Sequence, residues 1–190
     1  MSAVDLSGTI ALGAIGLLTA NLLLGLLLSV GYNPTRQWPR QRVKLFTFHN
    51  WTGYVALAAV VLHAGVLLFS TDPVFRPYDV FVPIDSPVQP LSNTLGAGGL
   101  YLVAIVVITS LKRMRTLLGR HRWKAIHYTT YAAAGVFFVH GVIADPLVKG
   151  RPVDFLDAEK VYVELCALTV LGAIGWRIRH RRAMRRAERA

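Results

Sequence analysis

The chain has 190 residues, the length of one domain. Its 54% hydrophobic content and mean hydropathy of +0.45 exclude disorder, and argue against a soluble nucleic-acid binder despite a formal charge of +11. The single cysteine, Cys166, excludes a disulfide framework, a CxxC redox pair and any cysteine-held zinc or iron–sulfur site.

No residue between Asp5 and Arg36 is charged. About 20 apolar residues in a helix span a bilayer core, so the first predicted transmembrane helix covers 8–31. Its flank, Met1 to Gly8, has an acid and no base, and its apolar run is longer than a signal-peptide core. It is expected to remain as a mature helix. The segment 32–44 carries Arg36, Arg40, Arg42 and Lys44. A second uncharged stretch predicts a helix over 45–70, containing His49 and His63. The next segment, 72–95, holds Pro73, Pro77, Pro83, Pro87 and Pro90, which predict an extended, turn-rich loop able to lie across one face as a lid. Arg76, Asp79 and Asp85 are its candidate acceptor-holding residues, although no pattern singles them out.

A third helix is predicted over 96–112. The segment 112–124 then carries Lys112, Arg113, Arg115, Arg120, Arg122 and Lys124. A fourth helix, 123–144, contains His127 and His140, and a fifth, 158–178, is interrupted by Glu164. That fifth span is short: Glu159, Lys160 and Arg177 belong near the interfaces, with Glu164 facing protein. The tail, 177–190, holds seven arginines against Glu188 alone. Together these elements predict an all-α integral membrane bundle of about five transmembrane helices, forming one domain over 1–190.

Three segments, 32–44, 112–124 and the tail, hold 17 of the 21 basic residues. Basic residues in short loops stay cytoplasmic, which puts the N-terminus outside and the C-terminus inside. An odd number of spans requires the same arrangement. The tail reads as an anchor meeting anionic headgroups. The expected location is the inner cell membrane, multi-pass, with the lipid bilayer as partner and no nucleic acid.

Ionisable residues inside a membrane span are rare and point to function. His49 and His63 are 14 residues apart, His127 and His140 are 13 apart. At about 1.5 Å per residue these separations are roughly 20 Å. Both helices start on the cytoplasmic side, so His49 and His127 share an inner depth, and His63 and His140 an outer one. Two opposed imidazole pairs stacked across the membrane are what two six-coordinate haems need, making a ladder for electrons. Helical phase is less cooperative. His49 and His63 lie within ~40° of one face, but His127 and His140 are ~140° out of register on a straight helix. Tilt, laterally displaced haems or a bend near Gly135 would reconcile them. Small residues between the histidines (Gly53, Ala56, Ala58 and Ala59; Ala132 to Gly135) leave room for a macrocycle. Arg42, Arg120 and Arg122 are candidate partners for the inner haem propionates. His121 and His180 lie among arginines and read as solvated. A lone membrane histidine usually packs or hydrogen-bonds; four in depth-matched pairs are harder to explain so.

The stretch Phe48-His49-Asn50-Trp51-Thr52-Gly53-Tyr54 through Leu62-His63, with Arg122-Trp123-Lys124-Ala125-Ile126-His127-Tyr128 through Val139-His140-Gly141, resembles the ferric-reductase-like transmembrane domain. That superfamily includes ferric reductases, NADPH oxidases and the haem-binding membrane subunit of the periplasmic methionine sulfoxide reductase system. The resemblance covers roughly 10–176 and is strongest over the haem-carrying core, about 45–144. It implies two b-type haems (haem b), His49 and His127 on the inner one, His63 and His140 on the outer one. It also implies an oxidoreductase membrane component passing electrons from a cytosolic donor to an extracytoplasmic acceptor. Ferric reductases and NADPH oxidases usually continue into an FAD and NAD(P)H domain. No glycine-rich dinucleotide fingerprint follows Trp176, so the expected donor is a separate flavoprotein, a quinol, or a flavin bound to this subunit. A second histidine one turn past the outer ligand, frequent in NADPH oxidases, is Leu67 here. Thr109-Ser110 and Leu118-Gly119-Arg120 resemble the methionine sulfoxide reductase subunit. That subunit generally lacks an inner histidine such as His49 and is the second reading. A non-redox transporter or anchor subunit with packing histidines is the alternative of another class.

Overall fold

The computed structural model describes residues 2–31, 44–145 and 152–187. Arg42 lies outside them, as do Arg36 and Arg40. The chain is all-α. Its helices are α1 (Ala3–Ser29), α2 (Leu45–Val66), α3 (Pro77–Phe81), α4 (Pro90–Ser110), α5 (Lys112–Tyr128), α6 (Thr130–Ile143) and α7 (Ala158–Ala187), with 3₁₀ turns at Leu67–Phe69 and Pro83–Asp85. Four stretches, Ala3–Ser29, Leu45–Phe69, Pro90–Ser110 and Ala158–Ala187, are each long and apolar enough to cross a membrane. This is a multi-pass membrane protein.

Local chemistry sets the ends of these helices. At α1 the Ser2 hydroxyl accepts from Asp5 N–H at 3.0 Å, and the Asp5 carboxylate accepts from Ser2 N–H at 2.8 Å, a reciprocal capping box. The proline-rich loop is more regular than its composition predicts. Pro77 and Pro90 open α3 and α4, and Pro83 opens a 3₁₀ turn, because a fixed φ and a missing N–H suit the first helical turn. So α4 starts at 90, six residues before the predicted start. Gln89, immediately before it, sits at φ 48°. Its side-chain amide donates to the Asp145 carbonyl at 2.9 Å and accepts from the Asp145 N–H at 2.7 Å, tying the loop to the end of α6.

Three further predicted boundaries change. The basic segment 112–124 is not an open loop: it is the helix α5, bent where Gly119 takes φ 72° and ψ 165°. The basic tail is likewise helical through Ala187, as a continuation of α7. The predicted helix 123–144 is divided at Thr129 into the end of α5 and the 14 residues of α6. There Thr129 N–H bonds the Ile126 carbonyl at 3.0 Å, a three-residue step, and the hydroxyls of Thr129 and Thr130 take the carbonyls of Ile126 and His127. Threonine back-bonding of this kind bends helices. Gly135, near which a bend was one of three ways to reconcile the helical phase, lies within α6.

In the bundle α1 packs most closely on α2 and also on α7, while α4 packs on α6. Ala14, Val60, Val103, Ala133 and Phe137 bury one another where α1, α2, α4 and α6 meet, and Ile15, Val163 and Cys166 form a second cluster between α1 and α7. Leu62, Leu168 and Leu171 stay exposed on outward faces, as expected where lipid is the solvent. Glu164 is half-buried. Lys160 is buried, and its Nζ donates to the carbonyls of Gly141 and Ala144 at the C-terminal end of α6, where a cation suits the helix dipole.

The φ/ψ of Gly119 belongs to a region essentially reserved for glycine. Gly119→Ala should lower stability by about 1–3 kcal/mol, read as a drop in the thermal unfolding midpoint in detergent. An unchanged midpoint would show that the bend in α5 is not needed.

Candidate functional site

The four membrane histidines meet in twos. The rings of His49 (α2) and His127 (α5) have centroids 6.0 Å apart at an interplanar angle of 76°. Those of His63 (α2) and His140 (α6) are 6.3 Å apart at 64°. A ligating imidazole nitrogen lies about 2 Å from its metal, so two imidazoles on opposite sides of one metal ion put their centroids roughly 6 Å apart. The spacing suits trans ligation. Among the described residues no group of three or more His, Cys, Asp or Glu gathers as a metal cluster.

Each ring is held through Nδ1. His49 Nδ1 bonds the Asn21 carbonyl at 3.1 Å, and His63 Nδ1 bonds the Ser7 carbonyl at 2.9 Å and the Ser7 hydroxyl at 2.8 Å. His140 Nδ1 bonds the Ser92 carbonyl at 2.7 Å, with the Ser92 hydroxyl at 3.1 Å. A carbonyl only accepts, so in these three rings Nδ1 carries the hydrogen and Nε2 keeps its lone pair. His127 differs: its Nδ1 meets the Ser110 hydroxyl at 3.3 Å, while the Trp123 ring stacks on it at 5.2 Å. Trp123 Nε1 also donates to Ser110 at 3.3 Å. This outer ring of hydrogen bonds is what orients histidines that bind metals.

Helix α1 anchors α2 twice in the same way. The Asn21 side chain donates to the His49 carbonyl and to Thr52 Oγ1, and the Ser7 hydroxyl donates to the His63 carbonyl at 2.9 Å. Ser7 and Asn21 are 14 residues apart, as are His63 and His49 on the antiparallel neighbour. That matched spacing was a readable signal and was missed. Ser92, at one end of α4, was missed with it, and Ser110, at the other, stood out only as part of a resemblance.

Beside His49 and His127 lies a cavity of about 620 Å³ reaching the basic end of the bundle. Arg120 is on its wall; Arg122 is exposed and not on that wall. Arg115, Lys124, Arg177 and Arg181 also line it. Arg177 donates to the Tyr131 hydroxyl at 2.9 Å, and Arg181 to the Ser29 carbonyl at 2.9 Å, which ties α7 to α6 and α1. At the other end, His63 and His140 both line two smaller spaces of about 70 and 120 Å³. Ile15, Leu18 and Phe137 belong to the walls of both the large cavity and the 70 Å³ one, an apolar partition between them.

The family model described as "Ferric reductase like transmembrane component" matches residues 11–138. The chain belongs to this family. The match runs from α1 into α6 and takes in His49, His63 and His127, ending two residues before His140. Membership in the ferric reductase like family points to a component of transmembrane electron transfer. No curated protein and no solved structure gave a significant match.

The proline-rich segment contributes to the walls of the two smaller spaces. Phe75 and Asp79 are buried and line the 70 Å³ space with His63 and His140. Arg76 and Asp79 are spent on each other: the Asp79 carboxylate accepts from Arg76 N–H, Nε and Nη2 at 2.8, 3.0 and 3.1 Å. These bonds, the side-chain ones first, hold the Asp79 carboxyl below its usual value. Its contribution to stability is therefore full above the ordinary carboxylate pKa of about 4 and lost as pH falls through the lower folded value. The difference in thermal midpoint between the native chain and Asp79→Asn should stay constant from neutral pH to about 4 and shrink below it. A difference that persists in strong acid would contradict this.

Proposed function

We propose that this chain carries electrons across the membrane through two b-type haems, one held by His49 and His127 and the other by His63 and His140. What carries the proposal is the pairing of imidazoles at trans-ligand spacing, with Nδ1 of His49, His63 and His140 engaged by a helix carbonyl. A haem iron with two imidazole ligands takes up and releases single electrons.

At His49 and His127 the residues fit such a group. The cavity beside His49 and His127 is large enough for a macrocycle. Its cationic wall, Arg120 with Arg115, Lys124, Arg177 and Arg181, would pair the propionates. At His63 and His140 the ligand spacing is equivalent, but the spaces beside the rings, about 70 and 120 Å³, are smaller than a macrocycle, so their walls, Phe75 in both and Asp79 in the smaller, would have to part to admit one. Ile15, Leu18 and Phe137 keep the partition between the sites apolar and exclude water from it.

The distribution of arginine and lysine supports a cytoplasmic basic end, with the N-terminus outside. Electrons then enter at the His49–His127 site from a separate flavoprotein or quinol, or from a flavin held by this subunit. They leave from the His63–His140 site to an extracytoplasmic acceptor. The membrane is the inner cell membrane in this reading.

Protein purified in detergent after expression with adequate haem should show reducible b-type Soret and α bands and two haems per chain. His63→Ala should halve the haem content and keep the haem on His49 and His127. Absence of the bands contradicts the function; unchanged stoichiometry in His63→Ala contradicts the pairing.

A further inference from the structure

The three histidines whose Nδ1 reaches a backbone carbonyl approach a neighbouring helix in one pattern. His49 bonds the carbonyl of residue 21, His140 that of residue 92 and His63 that of residue 7. Four positions on from these carbonyls stand Gly25, Gly96 and Ala11. In a helix the Cα–Cβ bond tilts toward the N-terminus, so a side chain covers the turn that precedes it. The residue four places on therefore stands over the carbonyl, on the imidazole's line of approach.

A Cβ built at Gly25 would lie 3.2 Å from His49 Cε1 and 3.7 Å from Nδ1. One built at Gly96 would lie 2.9 Å from His140 Cε1 and 3.2 Å from both ring nitrogens. Ala11, whose methyl is the smallest side chain after none, lines both small spaces together with His63. By contrast, Gly98 on α4 and Gly172 on α7 have nothing within 4 Å of an added Cβ.

We infer that Gly25 and Gly96 are positioning residues for the two haem sites: by leaving a helix carbonyl uncovered, each lets a histidine dock through Nδ1 and present Nε2 to iron. The inference rests on the electron-carrier reading above. It separates two glycines that set ligand geometry from others that merely sit in helices. Gly96 faces the tighter contact, so its variant is the more severe.

Haem per chain and optical redox titration of the purified holoprotein test it. Gly96→Ala should weaken haem binding at the His63–His140 site about 10–100-fold, the usual cost of losing a ligand's orienting partner. Its haem content should fall toward that of His63→Ala, and its remaining titration component should match that variant's. Gly25→Ala should change the other component alone, the one altered in His49→Ala. Gly98→Ala and Gly172→Ala should keep two haems and the native titration. Native titration and full haem content in both Gly25→Ala and Gly96→Ala would overturn the inference, and so would equal loss of both haems in each. Should Gly96→Ala not fold, the milder Gly25→Ala decides alone by the same criteria. Native protein that binds no haem would instead sink the electron-carrier reading, and the inference with it.

Discussion

An imidazole inside an apolar bundle needs somewhere to put its N–H, because an unpaired polar group away from water costs free energy of a few kcal/mol. Here the acceptors are carbonyls of α1 and α4, each already part of a helix and still able to take a second bond through its other lone pair. Much of the architecture follows from that need. Helix α1 must run antiparallel and close to α2, so that residues 7 and 21 fall beside His63 and His49. Helix α4 must lie along α6, so that Ser92 reaches His140, while Ser110 at its far end reaches His127. These are also the closest helix pairs in the bundle.

The break at Thr129 follows from the same constraint. On one straight helix His127 and His140 would point ~140° apart, and they could not both face histidines on a single side of α2. Dividing the chain at Thr129 places His127 on α5 and His140 on α6. At the break the carbonyls of Ile126 and His127 accept the Thr129 and Thr130 hydroxyls. The turn at Gly119 then folds the rest of α5, with its arginines, back across the basic end, where Arg115 and Arg120 line the larger cavity.

Much of this was legible from residue chemistry. Uncharged runs located α1, α2 and α4, an apolar run broken only by Glu164 located α7, and depth counting set His49 with His127 and His63 with His140. What stayed hidden depended on position in three dimensions. Serine and asparagine in an apolar run look like helix-packing residues until their neighbours are known, so Ser7, Asn21 and Ser92 passed unremarked and Ser110 stood out only as part of a resemblance. Gly135 was one candidate for a bend because glycine weakens helices, yet the helix divides at two adjacent threonines. The charges of 112–124 and of the tail read as loop, because charge reports contact with water and not backbone conformation; both segments are helical where described. Arg177 and Arg181, four apart on one face of α7, were counted for orientation but not as cavity wall. The +11 formal charge, taken whole, pointed toward nucleic acid; taken by segment, it marks one end of a membrane bundle.

The central claim is that both ends of the bundle hold iron between two imidazoles fixed in nearly perpendicular planes. Electron paramagnetic resonance of the oxidised, purified protein tests this most directly, since ring orientation governs the anisotropy of a low-spin ferric centre. With interplanar angles of 76° and 64°, two strongly anisotropic low-spin ferric components are predicted. A dominant high-spin signal, or no haem iron signal, would contradict the account.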